Sequence, residues 1–305
     1  MPARSSVSPD HIKHANVRYH DAAASEYDTK WGIDFGPIGQ QQVRGKLVKA
    51  LGGWPTDPFG DALEIGSGTG YFSLNLLQLG AIERLVATDI SPEMLATLSE
   101  TAASLGLEAQ TRVTDAETLP FEDSSFDLVF GHAVLHHLPD LDRALSEFHR
   151  VLRPGGAVAF CGEPSRYGDL VAALPKRGAQ LAAPLWRFAV GASVRRPEAD
   201  EDGDGHELES EVDVHAFAPR RLDRLLADAG FDAVRISGEE LLANVYGWAV
   251  RTLEHSADPE EVPQRWRELA FRGYIALQRL DATLLEPRLP ASIFYNLVLS
   301  ARKPA

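Results

Sequence analysis

Leu63-Glu64-Ile65-Gly66-Ser67-Gly68-Thr69-Gly70-Tyr71-Phe72 decides how the rest of the chain is read. A short apolar run meets three closely spaced glycines and then passes into a helical pattern. Without Cβ atoms at Gly66, Gly68 and Gly70 the backbone can turn sharply and let a ligand approach the main chain, and the helix behind it presents N–H groups that no helical carbonyl accepts. Ordinary strand-to-helix turns are also glycine-rich, so the loop alone is compatible with nucleotide-type binding and with none. Its G-x-G-x-G spacing puts Tyr71 where the last glycine of the dinucleotide fingerprint falls, which argues against NAD or FAD.

Working outward, strands and helices alternate. Arg84 to Asp89 reads as a second strand ending in an acid. Ser91 then caps a helix with Pro92 in its first turn and apolar positions Met94, Leu98, Ala102 and Leu105, stopped by Gly106. Glu108 to Thr114 is a third strand ending at Asp115, and Phe126 to Gly131 a fourth. Leu141, Ala144, Leu145, Phe148, Val151 and Leu152 form the apolar stripe of the next helix, and Pro154-Gly155-Gly156 reads as the turn into a fifth strand, Ala157 to Cys161. Further on, a helix over Pro219 to Ala229, a strand over Phe231 to Ile236 and a closing strand over Ser292 to Ala301 complete the set. The pattern predicts an α/β fold with a doubly wound, mostly parallel seven-stranded sheet covered by helices on both faces.

Two stretches break the alternation. Residues 163–218 carry apolar segments with Pro175, Pro184 and the basic residues Lys176, Arg177, Arg187, Arg195 and Arg196. Residues 239–290 read as two helices, Leu241 to His255 and Pro263 to about Glu286. Both are expected to form a helical lid over the strand ends. The expected division is an N-terminal helical segment (1–60), an α/β core (61–162), a first lid insertion (163–218), a core continuation (219–238), a second lid insertion (239–290) and a C-terminal core strand (291–305). Within the first segment, residues 1–15 read as polar and mobile, Asn16 to Trp31 as helical with Tyr19, Tyr27 and Trp31, and Gln40 to Leu51 as a second helix.

Composition narrows the function classes. The 305 residues are 44% hydrophobic, enough for a large core, and 30 Lys+Arg against 44 Asp+Glu give a formal net charge of -14. That sign argues against a partner whose phosphates must be neutralised, so nucleic acid is not expected. The single cysteine, Cys161, sits in an apolar run, can form no intrachain disulfide and suits a reducing compartment. No apolar leader follows Met1 and no run is long enough to span a bilayer. The expectation is a cytoplasmic protein with no transmembrane segment, compatible with peripheral membrane contact. Its oligomeric state is not legible.

In an open α/β sheet, ligands bind beyond the carboxyl ends of the strands. Glu64 to Gly70, Asp89, Asp115 with Glu117, Gly131 with His132, and Glu163 fall there. The ordered series Leu63 to Gly70, Ala87-Thr88-Asp89-Ile90-Ser91, Asp115-Ala116-Glu117 with Leu119-Pro120-Phe121, Ser125 to Val129, and Leu152-Arg153-Pro154-Gly155-Gly156 resembles a class I S-adenosylmethionine-dependent methyltransferase. More narrowly, it is similar to the small-molecule branch that includes the ubiquinone and menaquinone C-methyltransferases, with a type 11 methyltransferase domain. The likeness covers Leu63 to Gly162, about a third of the chain, and is weakest in the two insertions.

The resemblance implies a Rossmann-like methyltransferase fold, S-adenosyl-L-methionine as cofactor and a small-molecule acceptor. Gly66, Ser67, Gly68 and Gly70 would pass under the methionine part, with Glu64 bracing the loop. Asp89 would accept from the ribose hydroxyls, and Asp115 from the adenine amino group with the Ala116 backbone beside the ring. Tyr27, or Tyr19 in its place, would reach the cofactor's carboxylate end, and Ile90, Met94, Glu117 and His132 complete the cofactor set. The plainer roles are a helix-capping acid for Asp89, a turn residue for Asp115 and core packing for the tyrosines.

Displacement on a sulfonium needs chiefly orientation and exclusion of water. A base is needed only where the acceptor must lose a proton; His132, His136, His137 and Glu163 are the candidates. The expected acceptor is apolar or aromatic, either quinone- or lipid-like or a specialised metabolite, with O-, C- and N-methylation all open. Trp186, Phe188, Tyr246, Trp248, Phe294 and Tyr295 are candidates to line its pocket. The alternatives are a non-catalytic module that binds the cofactor or a partner protein and, less well supported, an NAD(P)-dependent oxidoreductase. Asp200, Asp202, Asp204, Gly205 and Glu211 match the calcium-loop pattern. Pro197, Glu207 and the poor helix former Val212 to His215 favour a solvated acidic loop, so no metal is expected.

Overall fold

The structure, a computed structural model, describes residues 8–24, 27–28, 32–195 and 214–305. They fall into two compact units. The first comprises the described residues of Met1–Glu163, Asp204–Ile236 and Val298–Ala305, and the second those of Pro164–Gly203 and Ser237–Leu297.

The first unit is built on a seven-stranded sheet: β1 (Phe59–Ile65), β2 (Ile82–Asp89), β3 (Gln110–Val113), β4 (Phe126–His132), β5 (Leu152–Pro164), β6 (Asp232–Glu239) and β7 (Asn296–Arg302), ordered β3-β2-β1-β4-β5-β7-β6. The pairings of β1 with β2 and β4, β2 with β3, and β4 with β5 are all parallel. Lys303 exchanges backbone hydrogen bonds with Gly155 and Gly156, so the end of β7 meets the start of β5 and β7 runs antiparallel to it. Strand order reverses between β1 and β4, which opens a crevice at their carboxyl ends. Register sets its contents: Ile65 pairs with Thr88, and His132 with Cys161, so the glycine loop, Asp89 and His132 emerge at one level.

Helices α1 (Pro9–Ala23), α2 (Pro37–Leu51), α3 (Tyr71–Gln78), α4 (Pro92–Ser104), α5 (Leu141–Val151) and α7 (Pro219–Asp228) belong to this unit; α6 comes in the second. On α5 the expected stripe Leu141, Ala144, Leu145, Phe148 and Val151 is buried, and Phe148 stacks 5.5 Å from Phe160 of β5. Leu63, Leu128, Phe130 and Val158 are fully buried in the strands, where truncation of one such side chain to alanine costs about 2–5 kcal/mol.

Two expectations are corrected. Helix α1 starts at Pro9 rather than Asn16, because the Ser8 side chain accepts the His11 N–H and Pro9 sits in the first turn; the stretch before Asn16 is thus helical from Pro9 onward. Strand β5 begins directly after α5, so Pro154-Gly155-Gly156 lie inside the strand rather than in a turn, with Gly155 at φ 80° giving the bend.

The second unit is helical: α6 (Gly168–Val190), α8 (Leu242–His255), α9 (Gln264–Leu280) and a π turn (Asp281–Leu285). Helix α6 continues through Pro175 and Pro184, residues that ordinarily kink or break a helix. Asp281, fully buried, caps α8 by accepting the Leu242 and Ala243 N–H groups at 3.1 and 2.9 Å. Trp186 packs edge-on against Trp266 at 5.3 Å, over buried Ala257 and Val262. Among the described residues no helix is long and apolar enough to cross a membrane.

Candidate functional site

Beyond β1 the chain takes the left-handed conformation at Gly66, Gly68 and Gly70, with φ of 61°, 51° and 93°. The three glycines serve different ends. A Cβ on Gly66 would lie 2.4 Å from Val134 Cγ2, and one on Gly70 2.9 Å from Leu74 and Leu98, so these two permit close packing. At Gly68 the nearest atom among the described residues is in the Tyr27 ring at 4.0 Å, which leaves that side of the loop open to them. The Ser67 N–H donates to the Thr88 carbonyl at 2.9 Å, tying the loop to β2.

Asp89 ends β2 and is buried. Its Oδ2 accepts the Gly68 N–H at 2.8 Å and its Oδ1 the Ser91 N–H at 2.9 Å. Each oxygen keeps a further lone pair for a ligand hydroxyl. Glu64 is 1% exposed, and among the described residues neither its Oε2 nor the buried Ser67 Oγ has a hydrogen-bond partner. Burial pushes the Glu64 carboxyl up to about 8, and the nearby Asp89 carboxylate acts in the same direction. Acceptors left bare at such depth are paid for by a ligand that brings donors or positive charge.

Further along the strand ends, Asp115 Oδ1 accepts the Glu117 N–H at 2.9 Å and Glu117 Oε1 the Asp140 N–H at 2.7 Å. Lys13 of α1 reaches both acids, with its Nζ 2.6 Å from Asp115 Oδ2 and on Glu117 Oε2. Burial works against the Lys13 charge, but the hydrogen bonds from its ammonium to the two carboxylates outweigh that and raise its pKa. The same N-terminal region makes two more ties: Ser91 Oγ donates to Asp21 Oδ1 at 2.5 Å, and Thr69 Oγ1 to Asp28 Oδ1 at 2.6 Å. Ala116 is buried, Ile90 half-buried, and Met94 wholly buried in the first turn of α4, where its N–H donates to Ser91 Oγ.

His132 lies between Tyr71 and Phe72, with ring centroids 5.5 and 5.7 Å away, and Gly162 makes room for it, since a Cβ there would sit 2.9 Å from His132 Nε2. His136 and His137 occupy a 3-10 turn, Leu135–His137, anchored by Glu163. Glu163 is fully buried; its Oε1 accepts the Val134 and Leu135 N–H groups at 3.0 Å each, and its Oε2 accepts the His136 N–H at 3.2 Å and lies 2.9 Å from His136 Nδ1. So engaged, Glu163 positions the turn. His137 lies 4.0 Å from the His136 ring and 5.8 Å from that of His20, which in turn is 6.2 Å from Tyr27. Burial lowers the His20 pKa against the opposing pull of Asp89 and Asp21, and burial raises that of Tyr27.

The structure thus brings Glu64, the glycine loop, Asp89, Tyr27, His136 and His137 together around the crevice, and packs His132 between Tyr71 and Phe72. Lys13, His20, Asp21 and Asp28 were missed from sequence; the available signal was the Ser8-Pro9-Asp10 helix start, which makes α1 a fixed element. The aromatics expected to line an acceptor pocket lie in the second unit, where Trp248 contacts Tyr295 at 5.7 Å and Phe294 is fully buried. Trp31, Arg196, Pro197 and the acidic run Asp200 to Glu211 lie outside the described residues. Among the described residues no cluster of His, Cys, Asp and Glu is arranged to hold a metal ion.

Comparison with known proteins agrees with this geometry. A family model described as a methyltransferase domain matches residues 63–160. A demethylmenaquinone methyltransferase of Thermus thermophilus is 37% identical over 174 residues, covering 55% of this chain and 73% of that protein. A malonyl-[acyl-carrier protein] O-methyltransferase of Methylococcus capsulatus is 34% identical over 183 residues, covering 59% of this chain and 54% of the relative, so the match spans about half of that protein's length. The fold resembles phosphoethanolamine N-methyltransferase 2 of Haemonchus contortus in complex with S-adenosylhomocysteine, at a TM-score of 0.60 and 19% identity, over 98% of this chain and 61% of that one. The open cradle at Gly68, the bare acceptors on Glu64 and Ser67 and the twice-anchored Asp89 fit the cofactor of that family, and with the Thermus relative covered over most of its length, the chain belongs to the S-adenosylmethionine-dependent methyltransferases.

Proposed function

We propose that the chain transfers a methyl group from S-adenosylmethionine to a small apolar or aromatic acceptor, quinone- or lipid-like or a specialised metabolite. The observation that carries the reading is the glycine loop, closed by packing at Gly66 and Gly70 and open at Gly68 among the described residues, beside the buried Glu64 carboxyl with its bare Oε2. When bound, the cofactor supplies a methyl group already activated by its sulfonium, so the protein's contribution is orientation and exclusion of water.

Each residue then has a task. Glu64 and Ser67 accept from the donor's amino-acid end, Asp89 takes the ribose hydroxyls on its remaining lone pairs, and Asp115, held by Lys13, borders the adenine. Glu163 fixes the 134–137 turn. His20 stays neutral near pH 7 because burial lowers its pKa, which suits it, with His137 beside it, to take a proton from an acceptor hydroxyl or enol. The names of the relatives support methyl transfer and differ in acceptor. The apolar-acceptor reading rests on the composition of residues 163–218 and 239–290.

The test is to incubate the chain with cell extract and S-adenosylmethionine carrying an isotopically labelled methyl group, then search by mass spectrometry for small molecules that gain the label. A labelled product absent with Asp89→Ala is the expected result. Binding of the donor with no labelled small molecule from any extract would favour a non-catalytic module.

A further inference from the structure

We propose that the exposed face of α6, together with the arginines of α9, is a docking surface for an anionic lipid membrane. The helix is amphipathic in the wrong sense for water. Its inward side carries Ala179, Ala183 and Trp186, all buried, whereas Leu174, Leu181, Leu185 and Phe188 are 73%, 85%, 74% and 86% exposed. These four positions recur seven, four and three residues apart and so share one side of the helix, over a line about 21 Å long at the rise of an α-helix. Among the exposed residues from Leu174 to Ala189, only Arg177 and Gln180 are polar. Solvated helices show the reverse arrangement, and an exposed stripe of large apolar side chains marks an interaction surface.

The neighbouring helix gives the charge. On α9, Arg265, Arg267, Arg272 and Arg279 are exposed with one acid, Glu268, in a chain whose net charge is -14. Leu269 and Phe271, 62% and 47% exposed, extend the apolar character. The two helices meet in a cleft where Ala189 and Val190 of α6 face Arg265, Leu269 and Arg272 of α9, so stripe and arginines are continuous.

A lipid surface suits this combination better than a second copy of the chain. A symmetric dimer presents the same face twice, so this basic apolar surface would meet a second basic surface with only Glu268 of α9 to offset its arginines. Anionic headgroups pair with those arginines while the apolar stripe enters the interface in plane, as interfacial amphipathic helices do. These residues are not among those of the methyl-donor site, so failure of this proposal leaves the proposed function intact.

The test is co-flotation of the full chain with vesicles of phosphatidylcholine alone and of phosphatidylcholine mixed with phosphatidylglycerol. Binding to the mixed vesicles, weakened by salt and absent on phosphatidylcholine, is expected. Leu181→Glu with Leu185→Glu should abolish it. Arg265→Glu with Arg272→Glu should weaken it well beyond tenfold, since each basic residue contributes about fivefold at such a surface. Because all four side chains are solvent-exposed, thermal melts should match the parent; a variant that melts early is replaced by Leu181→Ser with Leu185→Ser. No flotation of the parent, equal flotation of the variants, or sedimentation showing a dimer that Leu181→Glu with Leu185→Glu dissolves would each overturn the proposal, the last by making a second copy the occupant.

Discussion

Strand β1 carries an acid near each end, and the two live in opposite surroundings. At the amino-terminal end Asp61 accepts from Arg84 Nε at 2.7 Å and from Arg153 at 2.9 Å, while Arg153 also pairs with Asp127 at 2.8 Å and Asp127 accepts the Asp61 N–H. The Arg84 guanidinium foremost, with Arg153, holds the Asp61 carboxyl below the usual range. Three residues on, Glu64 has no arginine beside it among the described residues, keeps an Oε2 without a partner among them, and is pushed up by burial to about 8. One end of the sheet satisfies its charges internally and serves stability. The other leaves acceptors unsatisfied, as a site reserved for a ligand does.

The contrast breaks most sharply at Gly68. Gly68→Val places a branched side chain at φ 51° on a side of the loop that is open among the described residues, and should weaken S-adenosylhomocysteine binding at least about 100-fold by calorimetry while the sheet stays folded. Gly66 is no substitute for this test, since a side chain there strikes Val134 and disturbs packing as well.

Next comes pH. A carboxyl raised in the folded state binds its proton more tightly there than in the unfolded chain, so its contribution to stability is full below its ordinary value near 4.5 and falls as pH rises through about 8. Denaturant melts of the ligand-free chain should therefore show Glu64→Gln gaining on the parent by about 1–3 kcal/mol between pH 5 and 9. A cationic ligand favours the carboxylate, so S-adenosylmethionine should bind about tenfold more tightly at pH 9 than at pH 7, with proton release visible as a buffer-dependent heat. A flat pH profile would mean that Glu64 does not face the ligand.

A smaller effect is expected at α1. Lys13→Met removes the cation shared by Asp115 and Glu117, and amide exchange in α1 should speed up about five- to thirtyfold, the lower part of the range for a charge-assisted contact discounted for its partial exposure. Arg153→Ala, at the paired end, should cost only about 0.5 kcal/mol, as exposed ion pairs do, and leave S-adenosylhomocysteine binding unchanged. Because Asp61 is depressed, that cost should be present at neutral pH and vanish as the pH falls through its lowered value.

What the sequence disclosed follows from how local each signal is. The glycine loop, Glu64 and Asp89 lie on consecutive strand-loop-helix units, and the sheet follows from the alternation of periods. Lys13 meets acids more than a hundred residues away, and His20 and Asp21 approach Asp89 and Ser91 across some seventy; no short-range pattern marks such pairs. Glu163 was legible as an acid at a strand end, but its engagement by four donor groups of the 134–137 turn depends on how β4 and β5 stand side by side. Helix α6 was obscured by Pro175 and Pro184, which signal breaks in an isolated helix that its packing on Trp266, Ala257 and Val262 overrides.

The central claim is that the carboxyl end of the sheet holds a methyl donor, and titration calorimetry of S-adenosylhomocysteine into the native chain and Asp89→Ala tests it most directly. One-to-one binding by the native chain, lost or weakened at least about 100-fold in the variant for want of two charge-assisted hydrogen bonds, is the predicted result. No heat with the native chain, or equal affinity in both, would contradict it.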